Sequence, residues 1–278
     1  MSPEDFSFVA DFLKKKSGIS LTDDKTYLVE SRLLPLARQH DLDDITGLVA
    51  AMKGGRGSLG DHESLMDDVL DAMTTNETFF FRDNKPFDAI RKDILPQLIE
   101  RRKSAKSLRI WCAAASTGQE PYSIAMLLKE YGAQLNDWRL SILGTDVSGE
   151  ALKRAEAGNY SQFEVQRGLP AQLLIKYLHK EEKYWMINSE LKSMIRYKKL
   201  NLLSSFESLG KFDIVFCRNV LIYFEVETKR QILERISRQM PPDGILVLGS
   251  AETVLNVSDH FQLIPGLSGF YKINPAMS

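Results

Sequence analysis

With 278 residues, the chain is long enough for one large domain, or for a medium domain joined to a small one. Its 44% hydrophobic and 26% charged residues are ordinary for a soluble globular protein, and no apolar run approaches the length of a membrane span. A formal net charge of −1 gives no general drive toward nucleic acid, and the two cysteines, Cys112 and Cys217, argue against a disulfide framework or a cysteine-rich zinc site. No charged-then-apolar leader opens the chain, so a cytoplasmic location is expected.

Residues 1 to about 75 carry helical patterning and no convincing strand. Phe6, Val9, Phe12 and Leu13 recur at helical spacing, as do Leu65, Val69, Leu70 and Met73. Ser2-Pro3-Glu4-Asp5 predicts an N-cap, with proline in the first turn and acids facing the helix dipole. Lys53-Gly54-Gly55-Arg56-Gly57-Ser58 reads as a flexible loop between helices. A small all-helical domain over 1–75 follows, then a connecting segment over 76–106.

From about residue 107 short apolar strands alternate with amphipathic helices. Strands are predicted at 108–114, 140–146, 212–217 and 244–249, with helices at 122–131, 149–156 and 227–238. This alternation indicates an α/β fold over 107–278, a doubly wound Rossmann-like parallel sheet covered by helices on both faces. Residues 160 to 200 break the rhythm. There 183–187 and 194–198 read as short antiparallel strands, predicting a small sheet inserted at about 173–200.

In such a sheet the ligand sits at the carboxyl ends of the strands. The first strand runs into Ala115-Ser116-Thr117-Gly118-Gln119-Glu120-Pro121, whose small residues would let the backbone approach a ligand closely, with Gly118 permitting a tight turn. The second strand ends in Asp146, about 30 residues on, where a carboxylate can accept both hydroxyls of a ribose. Helix capping is the plainer role for such an acid. Strand, small-residue loop and acid together favour an adenosine-containing ligand. The lack of a GxxxxGK[ST] loop argues against a nucleoside triphosphate and leans the reading toward S-adenosylmethionine.

Three segments then become recognisable. Thr75-Asn76-Glu77-Thr78-Phe79-Phe80-Phe81-Arg82, the run from Ala113 to Ser123, and Phe216-Cys217-Arg218-Asn219-Val220-Leu221-Ile222-Tyr223-Phe224 resemble the chemotaxis receptor methyltransferases, the CheR family. The resemblance covers nearly the whole chain, with the motifs in the family's order. It implies a protein-glutamate O-methyltransferase using S-adenosyl-L-methionine, with S-adenosyl-L-homocysteine as product and no metal. It implies that Asn76, Thr78 and Arg82 line the cofactor pocket from the connecting segment. Glu120 and Asp146 would hold the amino-acid and ribose portions, Asn201 and Leu202 the adenine side, and Arg218 and Asn219 the methionine side. Phe79, Phe80 and Phe81 read as core and pocket wall.

A glutamate carboxylate is already anionic at neutral pH, so its methylation is a displacement that needs alignment and dryness rather than a general base. Arg82 has the planar fork that suits a substrate carboxylate, and Tyr223 could place a hydroxyl beside the transferring methyl; the resemblance implies the same two catalytic residues. Cys217, inside an apolar strand, reads as structural. His40, His62, His179 and His260 show no metal-ligand spacing.

The implied partners are methyl-accepting chemoreceptors: their acidic cytoplasmic coiled-coil helices, with a C-terminal receptor tail as a second contact at the inserted sheet. The chain would be a monomer recruited to receptor arrays through the receptors, without inserting into the membrane. Lys25, Arg32 and Gln39, seven residues apart, would share the docking face of a helix, although Pro35 should kink or interrupt it and Leu34 and Leu36 leave it less charged than expected. Other readings are a methyltransferase for another protein, RNA or a small molecule, and a non-catalytic cofactor-binding regulator. No NPPY-type motif supports a base-nitrogen methylase, and both the acid after strand two and the loop at 113–121 are intact, which weighs against the regulator.

Overall fold

Ser2 caps the first helix as predicted. Its hydroxyl accepts the Asp5 N–H at 3.1 Å, Pro3 opens the first turn, and Gly18 closes the far end at φ 78° with its N–H on the Lys14 carbonyl. The computed structural model describes residues 1–54 and 59–277. Helices α1 (Pro3–Ser17), α2 (Thr26–Gln39), α3 (Ile45–Gly54) and α4 (Leu59–Met73) follow one another. The predicted apolar stripes of α1 and α4 meet Val29, Leu33 and Leu48 in a hydrophobic core of their own. Of the expected loop, Lys53 and Gly54 instead close α3, and 55–58 lie outside the described residues.

Pro35 does not interrupt α2. Pro35 and Ser31, whose carbonyl loses its helical partner, both lie on the exposed face, so that carbonyl can turn to water. Leu36 is buried and Leu34 half-buried against the helical core, so neither belongs to a docking face.

The connecting segment holds α5 (Lys85–Ala89), a π-helical turn over Ile90–Ile94 and α6 (Leu95–Arg102). The α/β grammar then begins with β1 (Ser107–Cys112), α7 (Gln119–Glu130), β2 (Arg139–Asp146) and α8 (Gly149–Ala157). A small insert follows, made of β3 (Asn159–Ser161), α9 (Gln162–Gln166), α10 (Ala171–Tyr177), β4 (Leu178–Glu181), β5 (Tyr184–Ile187) and α11 (Ser189–Lys192). The chain returns through β6 (Ile195–Lys199), β7 (Ile214–Cys217), α12 (Val226–Ser237), β8 (Ile245–Leu248), β9 (Phe261–Leu263) and β10 (Phe270–Ile273).

The main sheet has the order β6-β2-β1-β7-β8-β10-β9, parallel from β6 to β8 and closed by antiparallel β10 and β9. Side-chain alternation divides the core. Ile110, Ile214 and Ile245 pack one face with α6 and α7, while Trp111, Val215 and Leu246 pack the other with α12. From β1 the order runs outward both ways, which opens a crevice at the carboxyl ends of β1 and β7.

Two expectations for the insert are corrected. Residues 195–199 join the main sheet, parallel to β2 with Ile142 opposite Ile195 and Asp146 opposite Lys199. Ile195 and Tyr197 face the core while Arg196 and Lys198 do not, the alternation that made this edge strand read as half of a hairpin. The small antiparallel sheet is β3-β5-β4, so it begins at Asn159 and ends at Ile187. No helix among the described residues is long and apolar enough to cross a membrane.

Candidate active site

The loop after β1 is pinned to both neighbouring strands, Ala113 N–H to the Phe216 carbonyl at 2.8 Å and Ala115 N–H to the Thr145 carbonyl at 2.9 Å. Ser116, at φ 50°, then turns its N–H onto Asp146 Oδ2 at 2.8 Å, while Ser148 N–H reaches Oδ1 at 3.0 Å. Asp146 is 7% exposed, and burial pushes its carboxyl above the usual carboxylate range against the pull of these amides. Gly118 makes the expected tight turn, at φ 95° with its N–H on the Ala115 carbonyl at 3.0 Å. A Cβ there would lie 2.9 Å from Ala155 Cβ and 3.0 Å from the Tyr160 hydroxyl, so its smallness serves packing of α7 against α8 and the insert rather than a ligand.

Glu120, in the first turn of α7, is the second buried acid. Arg218, leaving the end of β7, donates to it at 2.9 Å and bridges onward to Asp83 at 2.7 Å and the Arg82 carbonyl at 3.0 Å. Burial pushes Glu120 upward, and the guanidinium opposes it. Arg218 Nε is buried without a partner among the described residues. Burial also pushes the thiols of Cys112 and Cys217 well up, the state of inert core cysteines.

The connecting segment is held in unusual backbone geometry. Phe81, Asp83 and Asn84 have φ of 50°, 70° and 45°, and Phe81 N–H is tied to the Ser123 hydroxyl at 2.9 Å. This aims Arg82 toward the crevice, where it donates to the Glu77 carbonyl at 2.9 Å and lies over the Phe79 ring. Phe80 is fully buried edge-on to Tyr160, and Phe81 packs against Phe87; they serve the core. Asn76 is fixed through its carbonyl, which accepts the Ser116 hydroxyl at 2.9 Å.

Asn201 proves to be a turn residue as well as a lining one. Its Oδ1 accepts Leu203 N–H at 2.9 Å and its amide donates to the Lys16 carbonyl at the end of α1. Leu202 belongs to the core beneath. Tyr223 ends a short 3-10 turn over Leu221–Tyr223, and its hydroxyl has no hydrogen-bond partner among the described residues.

All ten residues expected at the site (Asn76, Thr78, Arg82, Glu120, Asp146, Asn201, Leu202, Arg218, Asn219 and Tyr223) line one cavity, with about 880 Å³ of empty space partly open to solvent. Sequence reasoning missed Ser17 and Ile19 from the end of α1, Thr74 and Thr75 at its rim, and Val147 beside Asp146. Val147 and Thr74 adjoin residues already singled out and Thr75 opens one of the recognised segments; Ser17 and Ile19 carry no local signal.

The docking pair is not brought together as expected. Lys25 precedes α2 and pairs with Asp24 at 2.9 Å. Arg32 turns inward, donating to the Met73 and Thr74 carbonyls at 2.8 and 3.0 Å and to the Thr75 hydroxyl at 3.1 Å. It is a structural clamp, not a free docking cation, because carbonyls at the end of α4 need its fork.

The all-alpha domain of CheR methyltransferases matches residues 4–74, and their SAM-binding domain matches residues 76–270. The chain belongs to the CheR methyltransferase family. Chemotaxis protein methyltransferase 1 of Pseudomonas aeruginosa is 42% identical to it over 270 residues, covering 95% of this chain and 96% of the relative. A chemotaxis protein methyltransferase of Pseudomonas putida is 40% identical over 271 residues, again covering 95% and 96%. Chemotaxis protein methyltransferase 1 of Vibrio cholerae is 35% identical over 279 residues, with 98% of each covered. Membership makes this CheR chain an S-adenosylmethionine-dependent methyltransferase. Its cavity fits that cofactor: two buried carboxylates stand at the ends of β2 and in α7, and a buried guanidinium keeps one N–H unpaired.

Proposed function

We propose that this protein esterifies glutamate side chains on bacterial chemoreceptors, giving glutamyl methyl esters for chemotactic adaptation. The observation that carries the reading is that Arg82 and Tyr223 open onto the cavity that holds Asp146 and the Glu120–Arg218 pair. In this reading residues 1–75 form the docking domain, 76–106 the connection, and 107–278 the catalytic domain. The names of the relatives supply the chemotactic setting.

S-adenosylmethionine, when bound, supplies a methyl group activated on a sulfonium. Asp146 accepts the ribose hydroxyls with the lone pairs its two amide bonds leave free. Glu120 would receive the ammonium of the amino-acid portion, and Arg218, with its Nε free of partners among the described residues, would hold its carboxylate. Asn201 and Leu202 wall the adenine side. Arg82 orients the substrate carboxylate with the N–H groups not spent on Glu77, and Tyr223 sets its hydroxyl at the reaction centre. Lys25 remains a candidate contact for acidic receptor helices, and the β3-β5-β4 sheet a candidate for a receptor tail.

The test is incubation with radiolabelled S-adenosylmethionine and receptor-bearing membranes, followed by alkali. Methyl label released as methanol supports a glutamyl ester; alkali-stable label sinks the reading. Tyr223→Phe keeps the ring, so S-adenosylhomocysteine affinity should hold within about threefold while transfer slows at least about tenfold. An unchanged single-turnover rate returns Tyr223 to packing.

A further inference from the structure

We propose that Glu252 is a positioning residue for methyl transfer, fixing through four backbone N–H bonds the turn that carries Asn219 and Tyr223 to the cavity. The inference rests on the reading of Tyr223 as a residue at the reaction centre.

Strands β7 and β8 are parallel neighbours with Cys217 opposite Leu248, so their chains leave the sheet side by side at its carboxyl edge. Glu252 enters the gap just beyond them and is 9% exposed. Its Oε2 accepts Asn219 N–H at 2.7 Å and Gly249 N–H at 2.8 Å; its Oε1 accepts Val220 N–H at 2.9 Å and Leu221 N–H at 2.7 Å. Three successive amides after β7 thus converge on one carboxylate, an arrangement that an acceptor-only group satisfies and an amide cannot.

Two further features show the site is built around that carboxylate. Asn219 stands at φ 58°, a left-handed conformation that turns its N–H toward Glu252 while its side chain stays at the cavity. Gly249 has no room for a side chain: a Cβ would lie 2.7 Å from Glu252 Oε2 and 2.8 Å from Asn219 Nδ2. The link to Tyr223 is short. Val220 is held by Glu252 at its N–H and accepts the Tyr223 N–H at its carbonyl, 3.2 Å away. The four bonds go to backbone alone, and the sheet on either side has its own ladder, so the carboxylate governs where this turn sits rather than whether the sheet forms.

Glu252→Gln sets an NH₂ group against N–H donors and loses about half of the four bonds. Single-turnover transfer should fall about 10- to 100-fold, as a displacement near 1 Å at the reacting groups would cause. S-adenosylhomocysteine affinity should fall by less than about fivefold, and so by less than the rate, because Asp146 is held by the Ser116 and Ser148 amides while Asn219 moves with the turn. Glu252→Asp, which keeps both oxygens on a shorter arm, should recover part of the rate, and it carries the same comparisons if the glutamine variant folds poorly. The deciding measurement is a double-mutant cycle with Tyr223→Phe. If Glu252 acts through Tyr223, its substitution should cost less than about threefold in the phenylalanine background. Equal losses in both backgrounds, or a native rate for Glu252→Gln, overturn the inference while the Tyr223 role stands. A native rate for Tyr223→Phe alone removes the Tyr223 role first, and the inference with it.

Discussion

At Asp146, burial opposes ionisation and two backbone N–H groups favour it, with burial the larger effect. The folded carboxyl therefore lies above its unfolded value near 4, so in the free protein ionised Asp146 lowers stability at neutral pH. That penalty is relieved as pH falls through the folded value toward the unfolded one. Ribose hydroxyls donate to the ionised form, so cofactor binding has the opposite dependence: affinity should weaken on acidification through the raised carboxyl value. Calorimetry with S-adenosylhomocysteine across a pH series should show this, and Asp146→Asn should flatten the part due to this residue, since Glu120 is raised as well. Asp146→Ala removes charge-assisted hydrogen bonds worth about 1.5–3 kcal/mol, or roughly 10- to 150-fold in affinity. Wild-type affinity in a folded Asp146→Ala protein would reject the ribose assignment. Asp146 was legible because an acid ending a second parallel strand has few roles. Glu252 was not: an acid in a loop after a strand has no pattern of its own, and its four partners lie about 30 positions back along the chain or three before it.

The elements that alternate strongly could be read from the sequence, and those defined by distant pairing could not. Strands β7 and β8 are buried throughout, and β1 and β2 mostly so toward their carboxyl ends, so they read as apolar runs, whereas β6 alternates because it is an edge, and alternation does not say which sheet a strand joins. β9 and β10 are short and went unread for the same reason. Helix α2 shows the limit for function. Heptad spacing put Lys25 and Arg32 on one face, but spacing cannot tell whether an arginine points to water or to the carbonyls of a neighbouring helix. Because Arg32 holds Thr74 and Thr75, and both line the cavity, its reversal should not be confined to receptor docking. Arg32→Glu is expected to weaken S-adenosylhomocysteine binding by about tenfold or more, leaving three acceptors facing a carboxylate. Lys25→Glu should leave that affinity unchanged and reduce receptor methylation only at low salt. Equal cofactor affinities for the two variants would show that the α2–α4 clamp does not shape the cavity.

Over the whole molecule, the helical core and the sheet cores are separate, yet the cavity needs both, since Ser17 and Ile19 line it together with residues of the sheet. The seam between them runs past the proposed catalytic tyrosine. Ser20 N–H reaches the Tyr223 carbonyl at 3.3 Å, Lys14 pairs with Glu225 at 2.7 Å, and Gly18 abuts Phe224. The exposed ion pair contributes little. Gly18 is the rigid point, because it combines φ 78° with a space in which a Cβ would meet the Phe224 ring at 2.9 Å and Leu203 at 3.1 Å. Gly132 supplies the matched control, with φ 77° and no atom within 4 Å of the point a Cβ would occupy. Gly18→Ala and Gly132→Ala should each lose about 1–2 kcal/mol from left-handed strain, lowering Tm by roughly 2–8 °C. Gly18→Ala alone should also displace Phe224 and, through it, the adjoining Tyr223, slowing transfer several-fold at saturating S-adenosylmethionine. Equal turnover in the two variants would mean that the seam joins the domains without setting the reaction centre.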